Sequence, residues 1–139
     1  MLMKCIFCDI VNNKVSSFKV WEDRDFLAFL DKTPINPGHI LLIPKAHFES
    51  VYDLPYSLYI DLFHNAKKIS GVLKEVTGAK RIGLAIEGFG VNHAHVHLVP
   101  ANEGNELNPE RAHSVSDEEL REMQKILKDA LETSNSLDR

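Results

Sequence analysis

Nothing constrains the fold of this chain more than the stretch from Asn92 to Pro100, NHAHVHLVP. Histidine recurs there at every second position, His93, His95 and His97, in a chain that has seven histidines. A repeat of two belongs to an extended strand, whose successive side chains point to opposite faces. The three imidazoles then share one face, and Ala94, Val96 and Leu98 share the other. One face is chemical and the other belongs to a core.

The elements around this strand follow from local pattern. FKVWEDRDFLAFLD reads as two strands about an acidic turn at Glu22 to Asp25, and GHILLIPKAH as a buried strand stopped by Pro44. Between Leu54 and Val76, Leu58, Leu62, Ala66, Ile69, Leu73 and Val76 recur at helical spacing, with Asp53 as N-cap and Gly78 as stop. RIGLAIEGFG reads as a strand entering a glycine loop, so the histidine strand that follows closes an antiparallel hairpin. ANEGNELNPERAHS, from Ala101 to Ser114, reads as a polar connector. Ser116 with Glu119 makes a capping-box pattern before an apolar stripe of Leu120, Met123, Ile126, Leu127, Ala130 and Leu131, a C-terminal helix over about 116–134. Strands on both sides of one long helix, without regular alternation, indicate an α+β fold with a mostly antiparallel sheet.

The length of 139 residues fits one domain spanning 1–139. Composition is that of an ordinary globular chain, 44% hydrophobic and 26% charged. The net charge of -4 argues against nucleic acid or an anionic membrane as partner. MLMKCIFCDIVNN lacks the apolar run of a secretory leader, and nothing later is long enough to span a bilayer, so the expected location is the cytoplasm. Cys5 and Cys8 are the only cysteines, too few and too close for a disulfide framework.

From the residues alone, the histidine face admits two chemistries: a His-x-His pair ligating a metal, or an imidazole nucleophile oriented by its neighbours. The plain alternative is an exposed strand that happens to be rich in histidine. HAHVHLV fits the order His-φ-His-φ-His-φ-φ, where φ is apolar, and so resembles the signature of the histidine triad family. CIFCDIVNNKV resembles that family's N-terminus and VWEDRDFLAFLDKTPINPGHILLIPKAH its central segment, in the family's order over roughly the first 100 residues.

The resemblance implies a five-stranded antiparallel sheet with two helices, and a homodimer as in many members. It also implies a nucleotide substrate, purine before pyrimidine, cleaved at the α-phosphorus of a phosphoramidate, a dinucleoside polyphosphate or an acyl adenylate. Carried onto this chain, His95 is the nucleophile, His97 lies near the phosphate oxygens, His39 completes the cluster and His93 supports His95 through its backbone. Ile6, Phe7, Ile10 and Leu30 contact the base, and Asp31 accepts from the ribose hydroxyls. For Phe7, Ile10 and Leu30 the plain alternative is core packing. No cofactor is needed for this chemistry, because fixed donors such as the amides of Gly88 and Gly90 can serve the phosphate.

A C-x-x-C pair supplies half of a structural zinc site, and His47 and His93 are the candidates for the other half, as in zinc-carrying members of the family. Two reduced cysteines in a partly buried turn are the alternative. The chain also departs from the family. Many members carry Asn after the preceding strand and a longer loop with Gly-Gln-Ser or Gly-Gln-Thr, where this chain has only EGFGVN, with Glu87 in the approximate place of the Asn. That shortening keeps two further readings open beside the hydrolase: a zinc-stabilised nucleotide-binding module, and a hydrolase with metal on the triad itself.

Overall fold

A polar turn sets up the first hairpin. Asp23 Oδ1 accepts the backbone N–H groups of Asp25 and Phe26, at 2.9 and 2.8 Å, and so reverses the chain between β1 (Lys19–Glu22) and β2 (Phe26–Leu30). The computed structural model describes residues 4–137; residues 1–3, which open the segment read above for a leader, and residues 138–139 lie outside the described residues. With β3 (Ile40–Pro44), β4 (Arg81–Ala85) and β5 (Val96–Ala101), the strands form one sheet in the order β1-β2-β3-β5-β4, antiparallel at every pairing. The fold is α+β with a five-stranded antiparallel sheet, as expected.

The central strands FLAFL and ILLIP are apolar throughout because both of their faces are covered. Phe26, Ala28, Leu30, Ile40 and Leu42 point into the main core with α2 (Tyr56–Thr77) and α3 (Asp117–Leu137). Leu27, Phe29, Leu41 and Ile43 point the other way, into a smaller core under α1 (Ile6–Val11). The period-two alternation of the histidine segment divides along the same line. Ala94, Val96 and Leu98 are in the main core, whereas the rings of His93 and His95 sit edge-on to Phe7 of the smaller one. None of the described helices is long and apolar enough to cross a membrane.

Several expectations need correction. Asp53 does not cap the long helix: it belongs to a one-turn 3-10 helix, Val51–Asp53, where it and Ser50 cap each other, and α2 starts after Pro55. CIFC is not merely a turn but the start of α1, capped by the Cys5 sulfur, which makes a third helix. The strand itself begins only at Val96, so His93 and His95 lie on the approach to β5 and only His97 lies within it. Ile126 does not join the buried stripe of α3; it is 53% exposed. The polar connector is anchored rather than loose. Glu106 accepts the N–H groups of Asn102, Glu103 and Gly104 and the side-chain amide of Asn36. The Glu103 N–H is the strongest cause holding its carboxyl down at about 2, against the opposing effect of burial. Gly78 does end α2, in the left-handed region, and Ser116 Oγ accepts the Glu119 N–H at 3.1 Å.

Gly38 joins fold to site. It precedes His39 with φ +92°, and a Cβ there would meet Thr77 Cγ2 at 3.0 Å and Leu73 Cδ1 at 3.1 Å. Gly38→Ala is expected to cost about 2 kcal/mol, from the positive φ and the crowding together. Gly71, in mid-helix with open space around it, gives the opposite sign: Gly71→Ala gains up to about 1 kcal/mol. Urea unfolding midpoints of the two variants check both.

Candidate active site

The sheet register brings the histidines together. His97 lies opposite Leu41 of β3 on one side and Ala85 of β4 on the other. His39, just before β3, reaches it across the sheet, with His39 Nε2 and His97 Nδ1 2.9 Å apart. His93 and His95 follow the approach to β5, where the Ala94 N–H is held by the Phe48 carbonyl at 2.7 Å.

Hydrogen-bond partners with a single role settle the tautomers. The Ile35 N–H donates to His39 Nδ1 at 3.1 Å, so the His39 proton is on Nε2 and is donated to His97 Nδ1. A neutral His97 therefore carries its own proton on Nε2. The His93 carbonyl, 2.7 Å away, can only accept, so His95 holds a proton on Nδ1, and in the neutral ring Nε2 keeps a bare lone pair. The Pro44 carbonyl, 2.8 Å from His93 Nε2, likewise leaves His93 Nδ1 unprotonated. Burial pushes His39 down to about 4, against the pull of Asp31, whose Oδ2 lies 3.7 Å away, and with a smaller push from His97. Burial lowers His97 too, with His95 adding to it and Asp31 and Glu87 opposing it. One edge of the cluster is thus a fixed donor and another a fixed lone pair.

Beside them is a cavity of about 330 Å³. Ile6, Phe7, Ile10, Leu30 and Asp31, the residues singled out in sequence for base and ribose, all line it together with His95 and His97. Gly90 is in its wall, but Gly88 is not, although both have positive φ. Sequence reasoning missed Val15, Ser17, Phe29, Leu41 and Phe89, and gave Lys32 no specific role. Phe29 and Leu41 were legible only as strand apolar residues, because nothing local says which face of a doubly covered strand meets a cavity. Asn92, beside the triad, turns away and donates to Glu49 Oε2 at 2.7 Å.

At the far end of the cluster, Cys5, Cys8, His47 and His93 bring their ligand atoms within 4.8 Å of one another. His93 Nδ1 lies 3.4 Å from Cys5 Sγ, 3.6 Å from Cys8 Sγ and 3.2 Å from His47 Nδ1, and Cys8 Sγ is 3.3 Å from His47 Nδ1. Tetrahedral zinc would hold sulfur and nitrogen about 3.6 Å apart and two nitrogens about 3.3 Å apart, given its usual bond lengths. The donor chemistry fits as well. The His93 lone pair faces three other donors, and burial pushes the Cys8 thiol up to about 11, with Cys5 adding to the shift. A cation among the four atoms is what would favour the thiolate. Asp31, His39 and His97 form a second close set, but their two imidazoles already bond each other.

An antiparallel sheet that sets a histidine cluster beside such a cavity is the architecture of the HIT domain, and the family model for that domain matches residues 12–104. The chain belongs to the histidine triad family. It is 37% identical over 105 residues to an uncharacterized HIT-like protein of Methanocaldococcus jannaschii, covering 72% of this chain and 81% of that one. An adenosine 5'-monophosphoramidase of Saccharomyces cerevisiae is 35% identical over 97 residues, 69% of this chain and 61% of the yeast protein. The crystal structure of a zinc-bound histidine triad family protein from Mycobacterium smegmatis superposes with a TM-score of 0.83 at 30% identity, covering 98% of this chain and 99% of that one.

The low value at His39 has a consequence for stability. Between pH 6.5 and about 4 the unfolded chain takes up a proton at His39 that the folded one refuses. The contribution is therefore intact above pH 6.5 and is lost as pH falls toward 4, by roughly 3 kcal/mol. Urea unfolding between pH 7 and 4 measures the slope. In His39→Asn, which is less stable at neutral pH, the slope becomes shallower by that amount.

Proposed function

We propose that the protein is a nucleotide hydrolase that cleaves at the α-phosphorus through a nucleotidyl-histidine intermediate. What carries the reading is the 2.7 Å contact between His95 Nδ1 and the His93 carbonyl, which leaves Nε2 bare on a residue that lines the cavity. A bare imidazole nitrogen is the form that attacks phosphorus. His95 Nε2 forms a bond to the α-phosphorus as the leaving group departs, and water then attacks the same phosphorus and returns the imidazole. His97, whose Nε2–H is fixed by the donation it receives from His39, donates a hydrogen bond to a phosphoryl oxygen where charge builds up. Gly90 offers its backbone near the same group. Gly88, outside the cavity wall, has no part in this scheme.

The apolar wall of Ile6, Phe7, Ile10 and Leu30 supports a purine as the base, and Asp31 can accept from both ribose hydroxyls. The activity named for the yeast relative, on an adenosine 5'-monophosphoramidate, agrees with a phosphoramidate as substrate. Zinc held by Cys5, Cys8, His47 and His93 would be structural: it supplies no chemistry to the phosphorus but pins His93, whose carbonyl orients His95. β4 forms one edge of the sheet, with Leu84 exposed, which supports pairing into a homodimer through that edge.

Incubation with adenosine 5'-phosphoramidate is expected to release AMP. His95→Ala should lower the rate at least about 1,000-fold, in line with loss of a covalent nucleophile, and an adduct of AMP mass should be trapped on the wild-type peptide containing His95. Absence of turnover by the wild type would leave a nucleotide-binding module. Metal analysis should find about one zinc per chain, as four protein ligands imply. Chelation should lower the melting temperature, and Cys8→Ser should abolish that response; turnover lost to chelator without any change in melting would instead indicate a metal acting on the substrate.

A further inference from the structure

The loop between β4 and the triad carries chemistry that the proposed mechanism has not used. Ala85 ends β4 opposite His97, and cross-strand partners point to the same face. Glu87 follows two residues further on, past the end of β4, and is not itself among the residues lining the cavity. Its charge acts on His97, opposing the effect of burial there. Glu87 is exposed, and among the described residues no cation is paired with it. Next along the loop, Phe89 stands between two glycines of positive φ, is 82% exposed and lines the cavity together with His95 and His97. A large aromatic ring held out in water at the rim of a cavity is placed to meet a ligand rather than a core.

We propose that Glu87 is the residue that selects the leaving group, and that with Phe89 it forms a subsite for an amine whose tail carries a second, cationic nitrogen. This rests on the reading of the protein as a hydrolase at the α-phosphorus and narrows its substrates to phosphoramidates of cationic amines. The carboxylate attracts the ammonium, and the ring of Phe89 receives the alkyl stem and the cation over its face. The same carboxylate repels leaving groups that are themselves anions, such as a polyphosphate, a sulfate or a carboxylate. Lys32 also lines the cavity, next in the chain to Asp31, the residue assigned to the ribose.

The reaction balances without a further reagent. The His95 Nε2–P bond forms as the P–N bond breaks, and the electron pair of that bond stays on nitrogen. The nitrogen takes a proton from water at the open mouth of the cavity and leaves as the free amine. Water then attacks the phosphorus, returning His95 and releasing AMP, and the proton it loses neutralises the hydroxide left by the first step.

The test uses three adenosine 5'-phosphoramidates with the same P–N bond and tails of different charge, made from 1,4-diaminobutane, butylamine and 4-aminobutanoate. For the wild type, kcat/KM should fall in that order, by about tenfold from the cationic to the anionic tail, the range expected for exposed charge pairs. Glu87→Gln should compress the series to within about twofold, and Glu87→Lys should invert it. High salt should flatten the wild-type series as well, a measurement that needs no variant. A wild-type series that is flat or runs the other way, or an order that survives Glu87→Gln, overturns the proposal while leaving the hydrolase reading intact. Failure to turn over any of the three compounds overturns the hydrolase reading itself, and this proposal with it.

Discussion

His93 is the residue on which the rest of the site depends. It is fully buried, and each of its polar groups has a different task. Its Nε2–H is fixed by the carbonyl of Pro44, the last residue of β3. That bond turns Nδ1 toward Cys5, Cys8 and His47, while the main-chain carbonyl accepts from His95 Nδ1. An imidazole buried this deeply is costly unless its nitrogens are satisfied. Burial, its largest effect, depresses its protonation, so the neutral ring with Nδ1 open is the state the fold favours. The orientation of the proposed nucleophile therefore follows from how the end of one strand meets the approach to another.

A second line of support reaches the site from the opposite side. Glu106 gathers the N–H groups of the turn after β5 and holds the Asn36 amide, which also donates to the Pro100 carbonyl at 2.7 Å. The Asn36 carbonyl accepts the His39 N–H, and the Ile35 N–H meets the His39 ring. The loop entering β3 is thus tied to the turn leaving β5, and His39 is held where it can donate to His97. Truncating the Glu106 side chain would leave three backbone donors and an amide without their acceptor, so this connector belongs to the support of the histidines.

Much of this was legible in the chain. Period-two histidines, the two apolar strands, the long helix with its glycine stop and the C-x-x-C pair each rest on local geometry that a sequence carries openly. Other features were not legible. Asp53 looked like a helix cap, but Pro55 begins α2 without a side-chain cap and Asp53 serves the preceding turn. Glu106 was legible only as part of a polar connector, because three of its partners are backbone groups and the fourth, Asn36, is 70 residues away. Gly88 and Gly90 looked equivalent, and only the path of the loop separates the one in the cavity wall from the one outside it.

By itself the sequence determined that a strand-like segment would put three imidazoles on one face and apolar residues on the other, because alternation is a property of the backbone alone. It also determined, by resemblance, which family the chain belongs to. Only the tertiary structure decided that the imidazoles are not equivalent. A neutral His95 has a bare nitrogen because a carbonyl two residues away can only accept, and His97 has a fixed donor because His39, 58 residues earlier, donates a hydrogen bond to its other nitrogen. A tautomer is set by the partner on the other side of the ring. For His39, His93 and His97 that partner arrives from elsewhere in the chain, and for His95 it depends on how the backbone bends before β5 begins.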